Sequence, residues 1–222
     1  MGFGGPPQAF TTGLPDTGKP RKDHMTPTTH LRSALPQDCA DLAVISDMAT
    51  RRLSSFVWGG AALTGQSSFE VGREAIRSNA AHFAHHPNWQ VADCGGFAGA
   101  INGYVIPDDA PGPSQGPAFL LPLNQLKAVA RGTWYISALA VYPEFRGQGI
   151  GRALLDWAEG RARLLGQGQL TLMVGSFNVD ALSVYQRSGF VEWQRLAFLP
   201  FPGSDPGGDW ILMRKAVAAS RR

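Results

Sequence analysis

The sequence predicts an α/β domain of the α+β, mixed-sheet kind, with one central sheet flanked by helices. Three observations carry this. Strand-like and helix-like segments alternate through the second half of the chain. Two strand-like runs on either side of "CGG" near residue 95 give a hairpin signal. A chain of 222 residues with 44% hydrophobic content can build a substantial core.

In order along the chain, "HLRSAL" (30 to 35) is expected as a short strand and 36 to 58 as one helix, with Leu42, Ile45, Met48, Ala49 and Leu53 roughly on one face. A second helix is expected over 72 to 86, ended by Pro87, and then a hairpin over 88 to 107. Residues 108 to 117 read as loop and 118 to 130 as a short helix interrupted near Pro122. From 133 to 142 a strand is expected, from 151 to 165 a helix, from 169 to 174 a strand and from 179 to 187 a helix. Strands over 190 to 199 and 209 to 217, joined by "PFPGSDPGG", close the domain. Residues 1 to 29, rich in Pro and Gly with almost no apolar periodicity, are expected to be a disordered extension, leaving 30 to 218 as the domain. Met25 is as good a candidate start as Met1.

Charge and cysteines narrow the function classes. Twenty basic against 17 acidic residues give a net charge of +3 and a pI near 9.1, with no long basic run; this suits an anionic ligand and does not suit nucleic acid. Cys39 and Cys94 match no zinc or redox spacing. A run of about 20 apolar residues is lacking, so no membrane span is expected, and the first residues resemble neither a secretory signal nor, with Pro6, a myristoylation signal. A cytoplasmic protein is the expectation, and a homodimer is compatible with it.

The most informative stretch is "VYPEFRGQGIGRALLDWAEGRARLLG" (141 to 166). Its turn, Arg146, Gly147, Gln148, Gly149, Ile150 and Gly151, follows a strand and opens a helix with Leu154, Leu155, Ala158, Ala162 and Leu165 at helical spacing. At a helix start the first N–H groups lack intrahelical partners and the macrodipole is positive, so an anion fits there. Glycines remove the Cβ that would block a phosphate, and Arg146 and Arg152 can add charge-assisted bonds. The glycines alone fit a tight ligand-free turn equally well. A dinucleotide fingerprint would need glycine where Arg152 stands, and "GLPDTGKP" (13 to 20) is no P-loop because Pro20 replaces Ser or Thr.

"LAVYPEFRGQGIGRALL" resembles motif A of the GNAT superfamily of N-acetyltransferases, with Arg146, Gly149 and Gly151 at the signature positions. "NVDALSVYQRSGF" (178 to 190) resembles motif B of the same family. The resemblance implies the GNAT acyl-coenzyme A N-acyltransferase fold, a mostly antiparallel sheet splayed between the strands at about 133–142 and 169–174. It implies that the amides of Gln148, Gly149, Ile150, Gly151 and Arg152 hold the pyrophosphate of acetyl-CoA, and that Leu139 and Val141 pair with its pantetheine arm. Simple alternation would put Ile136, Ala138 and Ala140 on one face of that strand and Ser137, Leu139 and Val141 on the other.

Asn178 suits a helix N-cap, and the resemblance also implies cofactor contact; the two are compatible. Tyr185 reads as a buried packing tyrosine or, by resemblance, as the general acid for the departing thiolate. The general base has no clear candidate: many family members carry a glutamate on the strand entering motif A, where this chain has "WYISALAV" with Ser137. Glu144, Tyr135 or water with a weakly basic amine are the alternatives. His82 and His86 are four apart on the expected helix, but without a further ligand no metal site is expected. Trp58, Trp134 and Phe198 are either acceptor wall or core. The expected function is acetyl transfer from acetyl-CoA to a primary amine of a small molecule or peptide. The alternative is a catalytically silent acyl-CoA-binding sensor or interaction module.

Overall fold

The computed structural model describes residue 1 and residues 29–110 and 116–218; the extension expected over 1 to 29 lies, but for its two ends, outside them. The chain runs β1 (His30–Ser33), a 3-10 turn at Pro36–Asp38, α1 (Cys39–Ala49), α2 (Leu53–Gly60), α3 (Ser68–Ser78), β2 (Trp89–Asp93) and β3 (Phe97–Val105). It continues α4 (Leu121–Val129), β4 (Trp134–Val141), α5 (Ile150–Leu164), β5 (Gln169–Gly175), α6 (Val179–Arg187), β6 (Val191–Ala197) and β7 (Asp209–Ala216). The seven strands form one sheet in the order β1-β2-β3-β4-β5-β7-β6. Each pairing is antiparallel except that of β4 with β5.

Each face of the sheet buries a different set of side chains. On one, Leu154, Leu155, Ala158 and Ala162 of α5 and Tyr185 of α6 pack on Trp134, Ile136, Leu170, Leu172 and Met213. On the other, α1 and α3 cover Val91, Ala100 and Ala138, while α4 and the aromatic residues Phe198 and Phe201 cover Tyr135, Trp210 and Leu212. The 3.6-residue spacing of apolar side chains on α5 matches that burial, and its end is closed by Gly166 at φ 71° with Gln167 N–H donating to Ala162 O. Gly189, at φ 89°, closes α6 in the same way, with Phe190 N–H donating to Tyr185 O.

Four sequence expectations are corrected. The helix expected over 36 to 58 is two helices, because Arg51 (φ 50°) and Arg52 (φ 72°) enter the left-handed region. Thr50 Oγ1 and Asp47 Oδ1 accept the amides of Ser54 and Ser55, so α2 restarts with its first donors satisfied. α3 begins earlier than expected, on a capping box: Ser67 Oγ accepts Glu70 N–H while the Glu70 carboxylate accepts Ser67 N–H at 2.7 Å. It ends at Ser78, which leaves His82 and His86 beyond the helix and removes the spacing argument for a shared metal. Pro122 starts α4 rather than interrupting it, since a proline in the first turn lacks only an N–H that would have no partner there. Finally, alternation along β4 is broken at Ser137, with consequences for the site.

Among the described residues, no helix is long and apolar enough to cross a membrane.

Candidate active site

β4 and β5 start together and then part. They pair through Trp134 with Leu170, Tyr135 with Thr171 and Ile136 with Leu172. Beyond that point β4 stays with β3, Val141 lying opposite Gly99, while β5 stays with β7, Gly175 lying opposite Trp210. The cause lies in β4. Asn102 and Gly103 of β3 face Ala138 and Ile136, so Ser137 is the extra residue of a β-bulge, and a bulge adds local twist. The bulge is held in place: Ser137 Oγ donates to Asn102 Oδ1, and Asn102 Nδ2 donates to the carbonyls of Phe83 and Asn88. It also moves Ile136 onto the α5 face with Leu139 and Val141, while Ala138 and Ala140 take the other face.

The parted strands bound a cleft of about 880 Å³. Tyr142 N–H donates to Ala98 O of β3. By the two-residue period of a strand, the N–H and C=O of Leu139 and Val141 therefore point away from β3, into the gap. Val141 O accepts Arg146 Nε at 3.1 Å, in keeping with that direction.

At the outer end of β4 the chain makes a short 3-10 turn (Pro143–Phe145) and reaches the glycine turn. Gly147 and Gly149 stand at φ 74° and 81°, where an L side chain is strained. Gly149 is the N-cap of α5 and offers no side-chain cap. The consecutive amides from Gly147 through Arg152 make no hydrogen bond among the described residues. A Cβ at Gly147, Gly149 or Gly151 would stand in open space. The sequence thus leaves a row of free donors at the positive end of a fifteen-residue helix whose first residue, Ile150, is buried and anchors it. Arg146 and Arg152 flank the row, the latter bonded to Asp156 at 2.7 Å, and Gln148 Nε2 donates back to Glu144 O.

α6 forms the facing wall. Asn178 caps it, its Oδ1 accepting Ala181 N–H at a long 3.4 Å. Tyr185, about two turns further on, lines the cleft with its ring packed edge-on against Phe190 at 5.9 Å. Its hydroxyl has no partner among the described residues, and burial pushes its pKa up to about 12.

The third wall is the corner between α1 and α2, with Met48, Thr50 and Arg51. Arg51 makes a two-pronged ion pair with Asp205, both contacts at 2.9 Å, and its guanidinium lies 5.5 Å from the centre of the Phe177 ring. The Trp210 indole N–H, buried and also in the cleft lining, has no partner among the described residues. The sequence reading missed Arg51: no Gly, Pro or Asn marks the corner, and the pairing with Asp205 crosses 154 positions.

The remaining candidates fall elsewhere. Tyr135 lies in the core of the opposite face, its hydroxyl pKa driven far up by burial. Glu144 is exposed on the turn before Arg146 and outside the cleft lining. Trp134 lies over Gly103 in the core, Trp58 packs against Gly72, and Phe198 meets Trp210 edge to face.

Comparison with known proteins follows this geometry. The family profile described as "Acetyltransferase (GNAT) family" matches residues 62–190. Mycothiol acetyltransferase of Geodermatophilus obscurus is 38% identical over 66 residues, covering 27% of this chain and 21% of that protein. Streptothricin acetyltransferase of Streptomyces lavendulae is 40% identical over 67 residues, covering 28% of this chain and 35% of that protein. The matches thus span well under half the length of these curated relatives. The structure of yncA from Salmonella typhimurium with its cofactor acetyl-CoA superposes with a TM-score of 0.54 at 18% identity, covering 88% of this chain and 97% of that one.

Proposed function

The chain belongs to the acetyltransferase (GNAT) family, and from that premise we propose that it transfers an acetyl group from acetyl-CoA to a primary amine, by direct attack, in the cytoplasm. The observation that carries the reading is the row of free amides at the start of α5, set beside the gap between β4 and β5.

The residues fit the group. Phosphate oxygens need many short-range donors and positive charge with no side chain in the way, and the open, uncapped turn from Gly147 to Arg152 offers all three. In this reading the amides of Gln148, Gly149, Ile150, Gly151 and Arg152 hold the pyrophosphate, with the Arg146 and Arg152 side chains adding charge. Leu139 and Val141 offer their outward N–H and C=O groups to the pantetheine arm as a strand would, and Asn178 borders the same arm. When bound, acetyl-CoA supplies an activated thioester: a C–N bond forms as the C–S bond breaks, and one amine proton passes to sulfur.

Tyr185 holds its proton throughout the neutral range, because burial disfavours its anion. A hydroxyl kept protonated and free of protein partners is suited to donate at the departing sulfur. The domain that does this is residues 30 to 218.

A second reading, an acyl-CoA-binding sensor, is favoured by one observation: Asp180 is the carboxylate that lines the cleft, and it sits on the α6 wall next to Asn178. Free-thiol release from acetyl-CoA across a panel of amines separates the two. The transferase reading expects amine-dependent release; tight acetyl-CoA binding with no release from any amine would establish the sensor.

A further inference from the structure

The cleft lining is poor in carboxylates and holds no histidine, although it is to take an amine. Arg51, Arg146, Arg152 and Arg187 line it against Asp180, and Tyr185 is the other titratable lining group. Arg146 and Arg152 belong to the phosphate end in the reading above, and Arg51 is paired with Asp205. Of the nearby carboxylates, Asp47 accepts Ser55 N–H, Asp41 accepts the Tyr142 hydroxyl and Asp209 pairs with Arg195, while Glu144 is exposed on the turn before Arg146, outside the cleft lining. Around the gap itself the walls are the thioethers of Met48 and Met173, the aliphatic Leu139 and the indole of Trp210.

An ammonium ion entering this gap would lose hydration to apolar walls, which favours its neutral form. An alkyl ammonium with a pKa near 10.4 is neutral in only about one molecule in 2,500 at pH 7, so such a substrate calls for a base to strip it. The lining contains neither a histidine nor a glutamate. Methionine sulfur and indole are good neighbours for an aromatic ring.

We infer that the acceptor is a weakly basic amine on an apolar body, such as an aromatic amine or aryl hydrazine, bound neutral, and that this cleft discriminates against alkyl ammonium substrates. The inference rests on the transferase reading above and names its acceptor class. The chemistry balances without a base before attack: the neutral nitrogen uses its lone pair to form the C–N bond, the C–S bond breaks, and the proton then released from nitrogen goes to sulfur.

The experiment measures thiol release from acetyl-CoA by the full chain at pH 7 with 4-methoxyaniline and phenylhydrazine against benzylamine, hexylamine and putrescine. The aromatic amines should show kcat/KM at least about tenfold higher, and the benzylamine rate should climb about tenfold per pH unit toward its own pKa, with no inflection from an enzyme base. Met48→Glu, which places a carboxylate on the apolar wall, should raise benzylamine relative to 4-methoxyaniline. A basic alkylamine preferred at pH 7, or an enzyme group titrating below pH 8 in the benzylamine profile, would overturn the inference and leave the transferase reading intact. No release from either set, with acetyl-CoA still bound, would overturn both.

Discussion

Two helix starts face each other across the cleft, and the chain treats them differently. At α6, Asn178 caps the first turn from within the sequence. At α5, Gly149 supplies no cap and the amides from Gly147 to Arg152 stay free. Elsewhere the chain is careful with such donors: Ser67 and Glu70 satisfy α3, and Thr50 and Asp47 satisfy α2. By contrast the start of α5 is left open beside the cleft, and in the proposed function it is where the cofactor's phosphate charge belongs. The strongest way to break this contrast is Gly151→Glu. Its Cβ would stand in open space and its φ is ordinary, so the fold should tolerate it. A carboxylate over the amides should nevertheless weaken acetyl-CoA binding by about 100-fold or more, roughly 2.7 kcal/mol or above. Calorimetric titration reads the affinity and thermal melting the stability; unchanged affinity would remove the cradle.

The same contrast holds between two tyrosines. Tyr142 spends its hydroxyl on Asp41 at 2.7 Å. Tyr185 leaves its own uncommitted in the cleft, with its pKa pushed up to about 12 by burial. Tyr185→Phe should lower kcat by about 10- to 100-fold while acetyl-CoA affinity changes little. Because the acid form is favoured, wild-type kcat should show no loss from this group below about pH 11. Parallel losses of melting temperature and activity would instead make Tyr185 a packing residue.

How much of this could be read in advance follows from the range of the forces involved. The bounds of α6 were legible to the residue, since Asn178 and Gly189 are local start and stop signals acting within a few positions. The α5 turn was legible because glycine chemistry is local too. The bulge at Ser137 was not, because it depends on Asn102, 35 positions away, being held by the Phe83 and Asn88 carbonyls. Without it, alternation put Ile136 on the wrong face. The α1–α2 break was hidden for a similar reason: two arginines in left-handed conformation carry no local signature, and one is held by Asp205. In the cleft, the α5 and α6 walls were written in motifs, whereas the α1–α2 wall is held by a pairing distant in sequence.

Asp38 tests whether a self-satisfied start behaves as stability alone. Its carboxylate accepts Leu35 N–H at 2.7 Å, at the entry to α1, and takes two bonds from Arg32, which also holds Asp93. Burial pushes its pKa up, but the bonds from Arg32 and Leu35 outweigh that and leave it below the ordinary carboxylate range. A depressed carboxyl contributes stability that is present above its unfolded pKa of about 3.9 and is lost as pH falls through the folded value. Asp38→Asn should therefore cost about 1–3 kcal/mol at pH 7 by urea unfolding. The gap from wild type should narrow below about pH 4, with acetyl-CoA affinity unaffected.

The finest distinction is between the two side-chain caps. Ser67 lies outside the cleft lining and accepts Glu70 N–H at 3.2 Å, within a reciprocal pair. Asn178 lines the cleft, and its cap bond is longer, 3.4 Å. If a cap can serve both the helix and a ligand, the cap bond that is looser should be the shared one. Ser67→Ala should cost about 0.5–1 kcal/mol of stability and leave acetyl-CoA affinity alone. Asn178→Ala should cost no more than that in stability, since its bond is the weaker, yet weaken acetyl-CoA by several-fold. Equal stability losses with no change in affinity would make Asn178 a cap like Ser67, and would leave acetyl-CoA recognition to the α5 start across the cleft.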